Sequence, residues 1–373
     1  MAVTIHWDKI SQETLKEISK STFKKYIDSY DLDSAFHKTT EDKLKEISSW
    51  YRSEKLVIAL GAGASVDYGL PDWNTLLQKL LLISLQTEAT SDYGNTSVLA
   101  KTFSSVFEPS ALISARYLHN HFKKTQPKAT LAFENAIRDS LYDEVVTEGD
   151  SELLKEVRQY CIAAGRSPNL NSIITYNYDD LLEKCLSNID VDIPFTPIHS
   201  SGMRHKEHEL PIYHVHGYLP QNGQLTSKNK VVLSEDGYHQ QYTDIYGWSN
   251  LTQINKFKEY NCLFIGLSFS DPNLRRILDI AMKERGENGI HHYCFKKRYS
   301  KKQVASKLNK LITETQEVEL EVHDFELADI SNDLVKLMEQ FDENDALSFG
   351  IGVIWVDSYS DIPEHLKTIR TMV

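Results

Sequence analysis

Six short apolar runs separated by stretches of helical periodicity constrain most strongly what this chain folds into. They are Leu56 to Leu60, Ser172 to Thr175, Ile212 to Val215, Cys262 to Gly266, His292 to Phe295 and Gly352 to Val356. Apolar runs rich in β-branched or aromatic residues read as strands buried on both faces, as parallel sheets require. Helical patterns between them make the chain an alternating α/β sequence, and the expected assembly is a doubly wound, Rossmann-like, mostly parallel sheet. Roughly 110 residues separate the first two runs, far more than one crossover helix needs, so a helical insertion over about 75–170 is expected. Leu15, Ile18 and Phe23 at helical spacing predict a helical extension over 1–50, which divides the chain into that extension and an α/β domain over 51–373. Toward the C-terminus, Val318 to Val322 alternate, Leu334 to Phe341 follow a helical period, and Leu366 and Ile369 mark a last amphipathic helix.

With 41% hydrophobic residues, 373 positions supply a sizeable core. A net charge of −12, from 53 acidic against 41 basic side chains, argues against broad electrostatic binding of nucleic acid or anionic lipid. No run approaches the roughly 20 apolar residues of a bilayer span, and the charged N-terminal stretch does not read as a signal peptide. A cytoplasmic protein is expected. Cys161, Cys185, Cys262 and Cys294 form no CxxC pair, so neither a zinc ribbon nor a disulfide framework is expected.

The first run leads directly into Gly61-Ala62-Gly63-Ala64-Ser65, with a helical pattern from about Thr75. Strand, tight turn and helix is an order that binds phosphate, because glycine admits close approach and backbone N–H groups donate to the oxygens. A plain tight turn is the competing reading. A dinucleotide-binding dehydrogenase would place a third glycine at position 66, which is Val66, and an acidic ribose ligand about 20 residues later at the end of a second strand. That ligand position falls in or just after a leucine-rich helical stretch, so standard hydride transfer is disfavoured.

The stretch from Gly61 through Ser65, continuing to Gly69-Leu70-Pro71-Asp72-Trp73-Asn74, resembles the opening motif of the sirtuin superfamily. Thr175-Tyr176-Asn177-Tyr178-Asp179 resembles its T-x-N-x-D motif, His216-Gly217 its His-Gly pair, and Gly266-Leu267-Ser268 its G-x-S turn. All four follow predicted strands, where α/β sheets bind ligands. The zinc-bearing deacetylases of that family carry two CxxC pairs between the third and fourth motifs, whereas residues 218–261 contain no cysteine. Asn74 stands where their opening motif ends in Arg. The pattern is instead similar to the bacterial sirtuin-like domains of antiphage defence that hydrolyse NAD.

That resemblance implies NAD as substrate, no metal, and a reaction that depletes cellular NAD on activation. Cleavage of the nicotinamide–ribose bond passes through an oxocarbenium-like transition state, for which a fixed dinucleotide and a positioned water are needed. Asn177 is expected to orient the ribose and water, with His216 as general base. Gly61, Ala62, Gly63 and Ser65 are expected on the diphosphate, Ser268 and Gly266 near the adenosine side, and Asp72 and Asp179 as supporting or ribose-binding groups. Each has a structural competitor: Asn177 as a helix cap, His214 as the reacting histidine in place of His216, Asp72 as a turn residue and Asp271 as a helix start. The resemblance further implies a homo-oligomer and a separately encoded defence partner, an ATPase or Argonaute-like protein, because 373 residues leave no room for a fused sensor. An NAD or ADP-ribose sensor without hydrolysis is the alternative, and ADP-ribose transfer to protein a third.

Overall fold

The computed structural model describes Lys25 and residues 38–86, 111–145, 151–162, 170–188, 193–286, 289–315 and 324–372. The chain divides into a larger unit, Leu44–Glu287 with Ile362–Val373, and a smaller one, Met1–Lys43 with Asn288–Asp361. The helix expected around Leu15 to Phe23 and the alternating run Val318 to Val322 lie outside the described residues.

In chain order the elements are α1 (Thr40–Arg52), β1 (Leu56–Leu60), α2 (Trp73–Gln86), α3 (Ala111–Thr125), α4 (Ala132–Tyr142), α5 (Glu152–Cys161), β2 (Ser172–Thr175) and α6 (Leu181–Ser187). They continue with β3 (Phe195–Ile198), β4 (Leu210–His214), α7 (Glu235–Thr243), α8 (Trp248–Glu259), β5 (Asn261–Ile265) and α9 (Pro272–Arg285). The last are β6 (His292–Lys297), α10 (Lys301–Thr315), α11 (Asp324–Leu347), β7 (Ile351–Val356) and α12 (Ile362–Thr371).

In the larger unit the strands run β3-β4-β2-β1-β5, every pair parallel. All five residues of β1 and all four of β2 are buried, so helices cover both faces of the sheet centre, as the unbroken apolar runs require. The α/β, Rossmann-like expectation is borne out. The chain builds the β2 side after β1 and then returns to place β5 on the other side of β1. This reversal of strand order is where open α/β sheets form a crevice at their carboxyl ends.

All six sequence-predicted strands form, with ends shifted by at most two residues. The one that sequence reading missed is β3, whose Phe195-Thr196-Pro197-Ile198 pairs with β4 alone at the sheet edge. Proline lacks an N–H, which an edge strand tolerates and which breaks the apolar pattern of a core strand. Between β1 and β2 the described residues hold four α-helices and no strand. The smaller unit pairs β6 with β7 in parallel alongside α10 and α11. There Trp355 Nε1 donates to Glu343 at 2.6 Å, and Lys296 lies 2.9 Å from Asp342.

Candidate active site

Two loops meet at the carboxyl ends of β1 and β5. After β1, Ala62–Ala64 and Val66–Tyr68 form two 3-10 turns, and Gly69 closes the second at φ 79°. The chain therefore reaches α2 through a compact double turn at Trp73, not directly at Thr75 as the periodicity predicts. Gly61 N–H donates to Ile265 O at 2.9 Å and Gly63 N–H to Gly266 O at 3.1 Å, so the turn is laced to the β5 loop. A Cβ at Gly61 would sit 2.5 Å from Gly266 O, and one at Gly63 2.8 Å from Gly266 Cα. These glycines thus have a steric reason that needs no ligand: two backbones pass at contact distance. Ala64 and Ser65 N–H groups donate to Gly61 and Ala62 carbonyls, which leaves the exposed Ala62 N–H as the uncommitted donor between Gly61 and Ser65 among the described residues.

Asn177 joins the β1 loop to the segment after β2. Its Nδ2 donates to Gly61 O and to Ser65 Oγ, both at 3.0 Å. Because a peptide carbonyl only accepts, the amide orientation is fixed, and Oδ1 is the face able to accept from a ligand hydroxyl or water. Thr175 Oγ1 accepts from the Asn177 backbone N–H at 3.1 Å. Ser65 in turn donates to Asp179 Oδ2 at 3.0 Å, while Asp179 Oδ1 takes the Leu181 N–H at the start of α6. The helix-cap reading of Asn177 does not hold, since α6 starts after Asp180 and Asn177 reaches back to the glycine turn. Burial pushes the Asp179 carboxyl up to about 6, its two hydrogen bonds only partly opposing this.

The two histidines of the third motif occupy different environments. His214 ends β4, 1% exposed, with Nε2 2.6 Å from Glu183 Oε1 and Nδ1 3.2 Å from Asn177 O. His216, 4% exposed, stacks edge-on to Tyr176 with ring centroids 4.9 Å apart. Its Nε2 lies 3.2 Å from Asp271 Oδ2 but out of line for a hydrogen bond. Burial pushes the His216 ring below the ordinary histidine value, and Asp271 opposes this in part. The ring is therefore neutral near pH 7, as a proton acceptor must be. Tyr238, on α7, donates to the same Asp271 oxygen at 2.8 Å.

Other predicted positions fall less centrally. Asp72 is exposed and accepts the Thr75 N–H at 2.8 Å, the N-cap of α2. Ser268 is exposed, 2.7 Å from Ser270 Oγ, with no hydrogen bond to the Asn177 cluster among the described residues. Gly266 takes φ 70° and Phe269, unusually for a residue with a side chain, φ 57°, so the G-x-S turn is conformationally tight. Gly217, at φ 114°, is approached by the backbone of Lys230 and Val231, so this chain's own segment accounts for the glycine. Asp271 caps α9 through Asn273 and Leu274 N–H groups ahead of Pro272, as its sequence reads, and it also faces His216. Sequence reasoning missed that second contact, along with Tyr238 and Glu183, because all three pairings join residues at least 22 positions apart.

A parallel α/β sheet with G-A-G-A-S, T-Y-N-Y-D, H-G and G-L-S at or next to its strand ends, the first two hydrogen-bonded through Asn177, is the arrangement that the resemblance to sirtuin-like domains implies. Residues 171–318 match the family model of the SIR2-like domain. The chain is similar to the NAD(+) hydrolase ThsA of Enterococcus faecium, 24% identical over 88% of this chain and 57% of that protein. The ThsA of Acinetobacter baumannii is 27% identical over 52% of this chain and 35% of its own length, and that of Bacillus cereus 24% over 88% and 57%. The chain thus spans little more than half of these curated relatives at most. Among the described residues no helix is long and apolar enough to cross a membrane, and no group of three or more His, Cys, Asp or Glu is placed to hold a metal ion.

Proposed function

We propose that this chain is an NAD hydrolase, converting NAD and water to nicotinamide and ADP-ribose. The observation that carries this reading is Asn177, whose amide nitrogen ties the glycine turn to the T-Y-N-Y-D segment and leaves Oδ1 as the acceptor with no hydrogen bond among the described residues. In the proposed reaction the bond between ribose C1′ and the nicotinamide nitrogen breaks, and its electron pair leaves with a now neutral nicotinamide. Water adds to C1′ and its proton passes to His216, directly or through a ribose hydroxyl. Asn177 Oδ1 orients the ribose hydroxyl or that water, while Asp179 supports the loop by holding Ser65 and the start of α6. The Ala62 N–H and the Gly61-to-Ser65 turn are the proposed diphosphate contacts, with Ser268 and Gly266 toward the adenosine side and Asp72 acting through the start of α2.

The names of the relatives support hydrolysis over protein deacetylation, as does a 218–261 segment without cysteine. From the resemblance of its motifs to the bacterial sirtuin-like domains of antiphage defence, we further propose that the chain depletes NAD in such a defence once a homo-oligomer forms or a separately encoded partner activates it. Incubation with NAD and chromatographic separation of products tests this reading. Nicotinamide and ADP-ribose in equal amounts are expected. Tight NAD binding without either product would favour the sensor alternative, and label transferred to protein would favour ADP-ribosylation.

A further inference from the structure

The proposed mechanism leaves the buried pair His214 and Glu183 unused, and His214 touches the main chain of Asn177. His214 contacts an acceptor through each ring nitrogen: the Glu183 carboxyl at Nε2, 2.6 Å away, and the Asn177 carbonyl at Nδ1, 3.2 Å away. A peptide carbonyl cannot donate, so Nδ1 must carry hydrogen. The short Nε2–Oε1 contact needs a second hydrogen between ring and carboxyl. Whichever atom bears it, the pair is neutral overall and holds one proton more than a neutral imidazole beside a free carboxylate. Both side chains are over nine-tenths buried, and Glu183 Oε2 has no hydrogen-bond partner among the described residues, so a net negative pair would be an unsolvated charge close to Asp179. Tyr218 covers the imidazole with ring centroids 4.3 Å apart, and His199 lies against Tyr218. Asp179, Glu183, His199 and Tyr218 are thus the titratable groups around His214. Burial pushes its ring down, yet the Glu183 charge and hydrogen bond, helped by Asn177 and Asp179, bring it above the ordinary histidine value.

We propose that His214 and Glu183 act as one proton-sharing positioning pair that clamps the main chain of Asn177 and so aims its carboxamide. Three anchors then fix Asn177: Thr175 at its N–H, His214 at its carbonyl, and Gly61 with Ser65 at its side chain. Neither member of the pair touches the dinucleotide. The proposal rests on the NAD-hydrolase reading only in what the aimed carboxamide acts upon.

The test uses the full chain labelled with ¹⁵N-asparagine, with the Asn177 carboxamide signal assigned by its loss in Asn177→Ala. Its hydrogen exchange is followed in wild type, His214→Leu, Glu183→Ala and Glu183→Gln, alongside nicotinamide release. Removing a hydrogen bond that involves a charged partner should speed exchange about tenfold in His214→Leu and Glu183→Ala. Glu183→Gln, which can still bond the ring, should recover most of the loss. Turnover should fall in the same order, with KM for NAD nearly unchanged. Unchanged exchange in the folded His214→Leu and Glu183→Ala proteins overturns the proposal, whatever turnover does. So does a loss carried by KM alone. If exchange follows the expected order while even wild type releases no nicotinamide, the clamp stands and the hydrolase reading fails.

Discussion

Asp179 accepts hydrogen bonds from Ser65 and the Leu181 N–H, yet its carboxyl is pushed up to about 6 because burial outweighs both. A carboxyl that binds its proton more tightly folded than unfolded adds stability below its ordinary value of 3.8, and loses it as pH rises through 6. At pH 7 the cost amounts to about 3 kcal/mol at most. Asp179→Asn keeps both contacts, since a hydroxyl can accept as well as donate. Its melting temperature should therefore fall less than that of wild type between pH 5 and pH 8, as thermal unfolding at the two values will show. His216 shifts the other way. Burial favours its neutral form, so kcat/KM should hold its neutral-pH plateau to below the ordinary histidine value before the acidic fall. Asp271→Asn preserves the cap of α9, because asparagine caps as well as aspartate. With the nearby charge removed, the acid limb should move to still lower pH, which a pH–rate profile measures directly.

At the scale of elements, the site exists because the loops after β1 and β5 pass backbone to backbone. Gly61→Ala and Gly63→Ala each put a methyl group into Gly266, and Gly266→Ala adds a residue with φ 70° whose Cβ would lie 2.6 Å from Ala64 N. Each should destabilise the fold by about 1–3 kcal/mol and weaken NAD binding, as denaturant unfolding and calorimetry will test. Much of this level was legible in the sequence. Unbroken apolar runs gave six strands because both sheet faces are buried, and the four motifs fall at or next to strand ends because ligand loops attach there. The double 3-10 turn before α2 escaped notice, since its residues carry no helical period and only Gly69 marks its end. β3 escaped because Pro197 breaks its pattern. The pairings of Glu183 with His214, of Asp271 with His216 and of Tyr238 with Asp271 were not legible because they depend on which helix packs over which strand. In the sequence Glu183 only follows the T-x-N-x-D motif, with nothing to mark His214 as its partner, and Asp271 reads as a helix start.

At the scale of the whole molecule, the larger unit contains every residue to which the proposed chemistry is assigned. Unrestrained turnover of the proposed reaction would empty the host cell of NAD, which is why control by assembly or by a partner is proposed. Turnover per protomer should accordingly rise with protein concentration or on addition of the partner, with light scattering reporting the assembled species. The roles of Asn177 and His216 are tested most directly by the nicotinamide released from NAD by wild type, Asn177→Ala and His216→Ala under the same activating conditions. Loss of the group that aims the ribose or water, or of the base, should lower the rate about a hundredfold or more while the proteins stay folded. Equal turnover in all three folded proteins would contradict the account.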